Sequence, residues 1–481
     1  MPRFALIDVS AMVVNGQLSI SFLYNRHMDH QERLHKWVQK CQHTLEALPK
    51  ILRQHQQFTL SDFPLLSLSN QKQLEGLIRQ IRRRAPSSEI EDIYPCSPVQ
   101  LGMWLSQSKN VEAYWSRIQW TISPSTSVST PVSIPQVKQA WKQVVHRHPI
   151  LRTVLFVDPG QECQPLQVVL ESVDAEIHEL MTSFNDDRLP VHKHDGSQAR
   201  NELELTHQLQ VTATPDHGVV CKLHVNHILI DGFTQKIFLR DLQLAYDGLL
   251  PEATAAPYSR YIAYIHGQSE TTSKAYWKRY LEEVQPCLFP RLNNIPGTDL
   301  HTLRSVPFTF DNARCLRNFC QQHGTTVSNI FQVAWGLLLR ANTGSDAVVF
   351  GYLTSARDIP LPDVHEIAGP LINLLISRLS FDANESILSA ISSNQVAYAR
   401  SLDNRHCSLP DIIHFLDLTG RPLFNTPISL QKKAKDVVPL HSSSIILEPY
   451  GGIDSTEVGL FPGYLYPAYA YRRTPFLRRK G

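Results

Sequence analysis

The sequence predicts an α+β fold, and three observations support this prediction. Apolar residues alternate with polar residues in several short segments, as in half-buried strands, and recur at helical spacing in longer ones. Turn-forming residues at 214–218 separate two alternating segments and predict an antiparallel pair. The hydrophobic fraction of 42% is ordinary for a globular protein, and 481 residues are enough for two or three domains.

Composition argues against several classes of protein. The chain carries 46 Lys and Arg against 44 Asp and Glu, a formal net charge of +2, so no global charge favours nucleic acid or a membrane surface. No apolar run reaches the ~18 residues of a membrane span and the N-terminus shows no secretion signal, so we expect a cytoplasmic protein. The eight cysteines lack CxxC pairs and zinc-finger spacing, and we expect them to be reduced and buried.

The N-terminal segment is too short to form a core of its own. Alternation at 18–24 predicts a strand, and helical spacing over 34–48 predicts a helix. One strand and one helix cannot close a hydrophobic core. We therefore expect residues 1–50 to dock onto another domain, and the weak polar pattern of residues 51–91 to be a linker.

The main body begins near residue 92, and its first part covers 92–270. The helix over 137–145 is expected to end before Pro149, because proline disfavours helical backbone at the residue before it. Alternation predicts strands in this part at 116–122, 151–157, 203–211 and 219–225.

The second part of the body covers 271–457. Helical spacing and apolar runs around and within it predict helices at 258–265, 275–284 and 330–338 and strands at 348–350 and 371–379. Residues 458–481 are rich in Gly, Tyr, Pro and Arg without any period, which predicts an unrelated, disordered tail.

The candidate chemistry is concentrated in residues 226–232 (NHILIDG). The strand at 219–225 would bury alternate apolar residues on one face and carry His227 on that same inward face. Asn226 would then point outward. The segment therefore places one titratable ring at the inner end of a buried strand.

Helical spacing over 237–245 predicts a helix directly after this segment. The first N–H groups of such a helix, around Gly232 and Phe233, have no partners within the helix and would lie close to the imidazole of His227. A base beside an anion-binding helix start is a layout for acyl transfer.

Five segments of the chain form an ordered set: residues 96–104 (CSPVQLGMW), 147–153 (RHPILRT), 226–232 (NHILIDG), 367–373 (IAGPLIN) and 421–426 (RPLFNT). They resemble, in the same order, the core motifs of the condensation domain of nonribosomal peptide synthetases. The third resembles the family's HHxxxDG signature, with Asn226 in place of the first histidine. A single HxxxDG recurs by chance in many proteins, whereas five motifs in order are specific.

The resemblance implies two chloramphenicol-acetyltransferase-like lobes in a V, with an active-site tunnel between them. Such domains join an upstream acyl or peptidyl thioester to the amine of a downstream aminoacyl thioester in secondary metabolite biosynthesis. The implied partners are upstream and downstream carrier proteins and the adenylation domains of the same assembly line. No directly bound cofactor is implied, because phosphopantetheine is carried on the carrier proteins, and the sequence contains no metal-binding constellation.

His227 and Gly232 are the candidate catalytic residues. A buried histidine that only hydrogen-bonds its neighbours is the alternative for His227, but the motif favours a role in orienting or deprotonating the attacking ammonium or in stabilising the tetrahedral intermediate. Gly232 would let the backbone approach the thioester carbonyl closely, and a simple turn glycine is equally compatible with the residue type.

Asp231 has two candidate roles. It could be the carboxylate partner of His227 in a triad. The resemblance instead implies a structural ion pair with Arg357 of the second lobe, which we favour, because breaking a buried pair from one side costs about 3–5 kcal/mol. Asn226 is expected to be structural and outward-facing, so its replacement of the first histidine should cost little activity.

The two ends of the chain carry further expectations. Residues 1–48 resemble the closing strand and helix of a preceding condensation or epimerisation domain, and residues 30–37 favour epimerisation, which implies a D-configured donor. After residues 452–457 the family continues with a strand and helix like those of 1–48, but this sequence does not. We therefore expect an incomplete second lobe.

Two alternatives to peptide-bond formation remain open. The chain contains no adenylation or carrier segment, which is compatible with a free-standing acyltransferase of the same fold that uses coenzyme A thioesters. The unusual ending is compatible with an inactive domain that binds carrier proteins without turnover.

Overall fold

The computed structural model describes most of the chain. The tail at 458–481 and Arg421 of the fifth motif lie outside the described residues. Contacts divide the chain into two compact units, Met1–Asp62 and Phe63–Gly481. The described residues are 6–14, 17–54, 58–86, 88–107, 113–125, 130–157, 164–180, 205–289, 306, 310–382, 384–418, 422–430 and 443–454.

The first unit is a β-hairpin followed by a helix. Strand β1 (Ile7–Val14) pairs antiparallel with β2 (Gln17–Tyr24), and helix α1 (Gln31–Gln54) follows. The sequence predicted β2 and α1 but missed β1, although the first half of β1 alternates apolar and polar residues. Trp37 of α1 is 60% exposed.

The first part of the second unit is called the first lobe here. Its helix α4 ends at Arg147, directly before His148 and Pro149, as the sequence predicted. The elements of the lobe are α2 (Gln71–Arg84), β3 (Ile90–Pro95), α3 (Pro98–Gln107), β4 (Trp115–Pro124), α4 (Ile134–Arg147), β5 (Thr153–Val157), β6 (Pro165–Leu170), β7 (Ile177–Glu179), β8 (His207–Ala213), β9 (Val219–Asn226), α5 (Thr234–Tyr246) and α6 (Ser259–His266).

The second lobe follows, and one strand comes after it. The elements of the second lobe are α7 (Glu270–Tyr280), α8 (Ala313–Gln322), α9 (Val327–Thr343), β10 (Ala347–Ser355), β11 (Ile372–Ser380), α10 (Ile387–Asp403), α11 (Leu409–Phe415) and β12 (Pro427–Ile428). Strand β13 (Ile445–Asp454) is the last described element.

The sheets mix strands that are distant in sequence. Among the described residues the first lobe has a five-stranded sheet of order β13-β4-β9-β8-β7 and a three-stranded sheet of order β3-β6-β5. The second lobe has a three-stranded sheet of order β11-β10-β12. The predicted antiparallel pair is β8 and β9, with His207 opposite Val225.

Each lobe has its own hydrophobic core. In the first lobe, the indole of Trp141 on α4 lies 6.4 Å from Trp120 of β4 and 6.4 Å from Phe238 of α5, so the two helices pack on the large sheet through aromatic rings. In the second lobe, Trp277 of α7 and Phe350 of β10 are both fully buried. The core of the first lobe fixes β9 and α5, which flank the candidate site.

Two segments from the C-terminal half belong to the first core. Residues 356–371, between β10 and β11, bury apolar side chains in the same cluster as Trp141; we call them the crossing segment. Strand β13 pairs antiparallel with β4 of the first lobe. The sequence-based assignment of all of 271–457 to the second lobe does not hold for these segments. Apolar patterns show that a segment is buried but not which core takes it.

Much of the segment that the sequence predicted as a linker, residues 51–91, is folded. Helix α2 buries Leu74, Leu77, Ile78 and Ile81 within the second unit, and Phe63 is 2% exposed. Polar residues within α2 weaken its apolar pattern in the sequence. Four apolar residues at helical spacing are nevertheless enough to bury one face of the helix. The body of the second unit therefore begins near residue 63 rather than 92.

Two composition-based expectations can be compared with the described residues. None of the helices that they form is long and apolar enough to cross a membrane. The cysteines among them are all free thiols, but Cys315 is exposed and Cys41 and Cys96 are half-buried, so the expectation of uniform burial was wrong.

Candidate active site

His227 lies at the end of a strand that is paired on both sides. Strand β9 runs between β4 and β8 and ends at Asn226, so His227 is the first residue of the following turn. The backbone N–H of His227 donates to the carbonyl oxygen of Tyr114 at 2.7 Å. The side chain of His227 is half-buried. His227 thus lies one residue beyond the strand that the sequence expected to carry it.

Asn226 does not face outward, and the sequence-based expectation on this point was wrong. Its side chain is 3% exposed and forms a reciprocal amide pair with Gln107: Gln107 Nε2 donates to Asn226 Oδ1 at 3.1 Å, and Asn226 Nδ2 donates to Gln107 Oε1 at 3.2 Å. The period of a strand shows which face a residue is on, but not that α3 supplies a partner on that face.

Helix α3 supplies a second contact to the same turn. Gln100 Nε2 donates to the carbonyl oxygen of Ile228 at 2.8 Å and to Gln167 Oε1 at 2.8 Å. Gln100 and Gln167 are both fully buried. Gln100 and Gln107 are seven residues apart and therefore share one face of α3, a signal that could have identified them as a pair.

The start of α5 is already occupied by a carboxylate. Asp231 Oδ1 accepts the backbone N–H groups of Phe233 at 3.1 Å and of Thr234 at 2.7 Å. The sequence predicted that N–H groups in this region would form an anion-binding pocket near the imidazole, and for these two groups the prediction was wrong. A carboxylate just before the first turn of a helix can accept N–H groups that have no partner within the helix, and Asp231 takes both of these. Gly232, between Asp231 and Phe233, is exposed.

Asp231 and Arg357 form the ion pair that the resemblance implied. Arg357 Nη2 lies 3.2 Å from each carboxylate oxygen, and the two residues are 6% and 3% exposed. The backbone N–H of Leu371 also donates to Asp231 Oδ2 at 3.1 Å. With the two amides of the α5 start, these donors fill the roughly four lone-pair positions of a carboxylate. This arrangement favours the structural role of Asp231 over a triad role.

Arg357 is fixed by the crossing segment that carries it. Its Nη1 donates to the carbonyl oxygens of Val364 at 3.0 Å and Ile367 at 2.8 Å. Its guanidinium carbon lies 4.3 Å from the centre of the Phe233 ring, a cation–π distance. The crossing segment therefore presents one preorganised cation to Asp231.

Thr234 completes this contact, and sequence reasoning missed it. Its hydroxyl is fully buried, lies 2.7 Å from Asp231 Oδ1 and 2.9 Å from Gly369 O, and accepts the N–H of Gly369 at 3.0 Å. Gly369 has φ +142, and a Cβ there would lie 2.2 Å from the ring of Tyr258. Only glycine fits this position, which explains the glycine of the GP motif.

A second charged cluster lies along α5. Asp241 is 1% exposed and accepts His148 Nε2 at 2.9 Å, Arg147 Nε at 3.0 Å and Arg240 Nε at 2.9 Å. Arg240 also binds Glu366 of the crossing segment through both Nη atoms, at 3.0 and 2.7 Å. Burial alone would raise the pKa of Asp241, but the hydrogen bond from His148 and the charge of Arg240 lower it to about 2. Burial lowers the pKa of His148, and the hydrogen bond and charge of Asp241 partly oppose this shift.

The described residues contain no group of three or more His, Cys, Asp or Glu side chains that could hold a metal ion. What they bring together is one half-buried imidazole, His227, a hydrogen-bonded turn around it, and an adjoining buried ion pair, Asp231 with Arg357. This arrangement can orient or deprotonate a nucleophile without a covalent intermediate on the protein.

Comparisons with known proteins agree with the motifs. Residues 90–444 match the family model of the condensation domain. A nonribosomal peptide synthetase of Aspergillus campestris is 41% identical over 459 residues, which cover 95% of this chain and 5% of the relative. A nonribosomal peptide synthetase of Emericella nidulans is 36% identical over 440 residues, covering 90% of this chain and 7% of the relative. This chain thus spans less than a tenth of the length of these relatives.

Solved structures show the same fold. The X-domain from teicoplanin biosynthesis superposes with a TM-score of 0.59 at 19% identity, covering 76% of this chain and 83% of that one. The first condensation domain of the CDA synthetase gives a TM-score of 0.54 at 16% identity, covering 76% and 87%. The predicted α+β fold is confirmed.

Proposed function

This chain belongs to the condensation-domain family, and we propose that it forms peptide bonds in nonribosomal peptide synthesis. The amine of an aminoacyl thioester on a downstream carrier protein would attack the carbonyl carbon of an acyl or peptidyl thioester on an upstream carrier. A C–N bond forms and the C–S bond breaks. The amine proton ends on the thiol of the upstream phosphopantetheine, and the elongated peptide remains on the downstream carrier.

His227 is the proposed catalytic residue. The observation that carries this role is its placement: a half-buried imidazole at the end of a doubly paired strand, with its N–H held by Tyr114 and the next residue held by Gln100. An α-amino group has a pKa of roughly 8, so little driving force is needed to deprotonate it near neutral pH. Orientation of the amine by a fixed ring would then supply much of the rate enhancement.

Gly232, Asp231 and Arg357 are proposed to serve the same reaction in other ways. Gly232 is exposed, which supports close approach of the thioester there. The buried pair of Asp231 and Arg357 would hold the crossing segment, and with it the second lobe, beside the His227 turn. Phosphopantetheine on the carrier proteins would deliver both substrates, and adenylation domains of the same assembly line would load them.

We also propose that residues 1–50 close a preceding condensation or epimerisation domain; an epimerisation domain there would supply a D-configured donor. The support is the exposure of large apolar side chains in the hairpin and α1, which other protein surface would normally cover. These side chains are Val9, Met12, Val13, Leu18, Leu23 and Trp37.

The test of the proposed function compares His227→Ala with the unaltered chain. The probes are an upstream carrier protein loaded with N-acetylaminoacyl groups and a downstream carrier loaded with aminoacyl groups, from a panel of amino acids in both configurations. We expect dipeptide on the downstream carrier, detected by mass spectrometry, and at least a ~100-fold lower rate for His227→Ala, the lower end of general acid–base contributions. The melting temperature should be unchanged.

A matched control is His178→Ala, since His178 is an exposed histidine of the same lobe, and its Nε2 lies 2.8 Å from Glu176 Oε1. It should retain the full rate. Full activity of His227→Ala, no turnover with any probe pair, or turnover of acyl-coenzyme A without turnover of the carrier-bound donor would each contradict the proposed function.

A further inference from the structure

Side-chain amides, not charged groups, hold the turn that carries His227. Asn226 Oδ1 accepts the backbone N–H of Ile228 at 3.1 Å, and Gln100 Nε2 donates to the carbonyl oxygen of Ile228 at 2.8 Å. Gln107 Nε2, which pairs with Asn226, also donates to the carbonyl oxygen of Ala113 at 2.8 Å, one residue before the Tyr114 carbonyl that binds His227. Both backbone groups of the residue after His227 are thus fixed by side chains.

Asn226 makes two kinds of contact that few side chains can combine. Its oxygen accepts an N–H two residues along, as in an Asx turn. On the same side chain, one donor and one acceptor face the complementary donor and acceptor of Gln107. An imidazole carries its two nitrogens on different edges of the ring and cannot make this two-point pair. The histidine of the family signature would leave part of the Gln107 amide without its partner.

We infer that Asn226 is a positioning residue for the reaction, and that its pair with Gln107 replaces the first histidine of the HHxxxDG signature. Asn226 sets the direction of His227 by fixing the backbone on its C-terminal side, while Tyr114 fixes the N-terminal side. This inference rests on the proposed role of His227. It reverses the expectation that the asparagine is an inconsequential replacement.

The rate test uses Asn226→Ala in the full chain with the carrier-loaded probe pair that the unaltered chain turns over fastest. We expect kcat to fall about 10- to 100-fold, the scale of a small misplacement of a catalytic group, with an unchanged KM for the loaded acceptor carrier. Asn226→Ser keeps a turn acceptor and should give an intermediate kcat. Asn226→His should also fall below the unaltered chain; a full rate for this variant would overturn the inference.

The matched control is Asn394→Ala. Asn394 is also 3% exposed and donates to two side-chain amides, Asn329 Oδ1 at 2.8 Å and Gln332 Oε1 at 3.0 Å, but it lies in the second lobe. A merely structural role for Asn226 predicts equal effects of the two alanine variants on melting temperature and on kcat. Positioning predicts similar losses of melting temperature but a fall of kcat in Asn226→Ala alone.

A double-mutant cycle separates this inference from the proposed function. If Asn226 acts through His227, Asn226→Ala should have no further effect on the rate once His227→Ala is present. An undiminished effect in that background would overturn the inference while leaving the catalytic role of His227 intact. A full rate for His227→Ala alone would contradict the proposed function instead.

Hydrogen exchange gives a readout that needs no substrate. In Asn226→Ala, amide exchange in a peptide covering 226–230 should rise at least ~10-fold, because the N–H of Ile228 loses its acceptor. In Asn394→Ala the same peptide should exchange as in the unaltered chain. Unchanged exchange in Asn226→Ala would overturn the inference.

Discussion

The turn of His227 and the start of α5 at Asp231 are only four residues apart, yet different chemistry holds them. Neutral amides, chiefly Asn226, hold the His227 turn within the first lobe. The α5 start is held instead by a buried ion pair and a buried hydroxyl. Both connect it to the crossing segment, since Asp231 contacts Arg357 and Thr234 contacts Gly369.

The two kinds of contact are expected to serve different purposes: the amides fix the direction of the His227 turn, and the ion pair holds the crossing segment to the start of α5. A neutral hydrogen bond contributes about 0.5–1.5 kcal/mol and fixes direction, so its loss displaces a group more than it unfolds the chain. A buried ion pair contributes little net stability when intact, but removing one partner leaves an uncompensated charge. We therefore expect variants at Asn226 to lower the rate by more than their loss of stability explains, and variants at Asp231 to act mainly through a larger loss of stability.

The largest effect is expected for Asp231→Ala, which leaves Arg357 buried without its partner. The free energy of unfolding should fall by about 3–5 kcal/mol, measured by urea denaturation, and condensation should fall with it. Asp358→Ala is the matched control, because Asp358 pairs with Arg405 at 2.6 Å but its side chain is 63% exposed. That variant should lose no more than about 1 kcal/mol. Equal losses of stability in the two variants would show that burial of the Asp231–Arg357 pair does not set the cost of breaking it.

A smaller effect is expected for Thr234→Val, which keeps the shape of the side chain and removes its hydroxyl. The N–H of Gly369 then loses its buried acceptor, and the free energy of unfolding should fall by about 1–3 kcal/mol. Thr343 is an exposed residue whose hydroxyl donates to Leu339 O at 2.8 Å, and Thr343→Val should change stability much less. Identical denaturation curves for the two variants would show that Thr234 does not support the crossing segment.

The regular parts of the fold were predictable because local pattern determines them. The end of α4 at Arg147 follows from Pro149, and the pairing of β8 with β9 follows from the turn residues at 214–218. The contact of Asp231 with Arg357 is present where the motif resemblance implied it. In each case the deciding residues lie within one or two elements or within a recognised motif.

The rest depended on which surfaces meet, which no local pattern records. The crossing segment and β13 carry ordinary apolar residues, and nothing in their spacing indicates that they join the first core. Asn226 was placed outward because its neighbours alternate, yet α3 covers that face. Thr234 has no distinguishing signal in sequence, since its role depends on Gly369, 135 residues away.

The side-chain amides that hold the His227 turn do not titrate, so their hydrogen bonds do not depend on pH. We expect the stability of this region to depend on pH through the neighbouring His207. This residue lies opposite Val225 and is 1% exposed. Its Nε2 donates to Leu151 O at 2.7 Å, and its Nδ1 has no hydrogen-bond partner in the part of the chain that the structure describes. Burial lowers the pKa of His207, since a second N–H there would lack an acceptor.

Below a pH of about 6.5, the unfolded chain therefore binds a proton at His207 that the folded chain does not. The contribution to stability is complete above that pH and is lost as the pH falls towards the lowered pKa, by at most ~1.4 kcal/mol per pH unit. Urea midpoints should be lower at pH 5 than at pH 7, and His207→Gln, whose amide can still donate to Leu151 O, should reduce the difference. Exposed His178→Gln should not. An unreduced difference in His207→Gln would place the titrating group elsewhere, such as His148 beside Asp241.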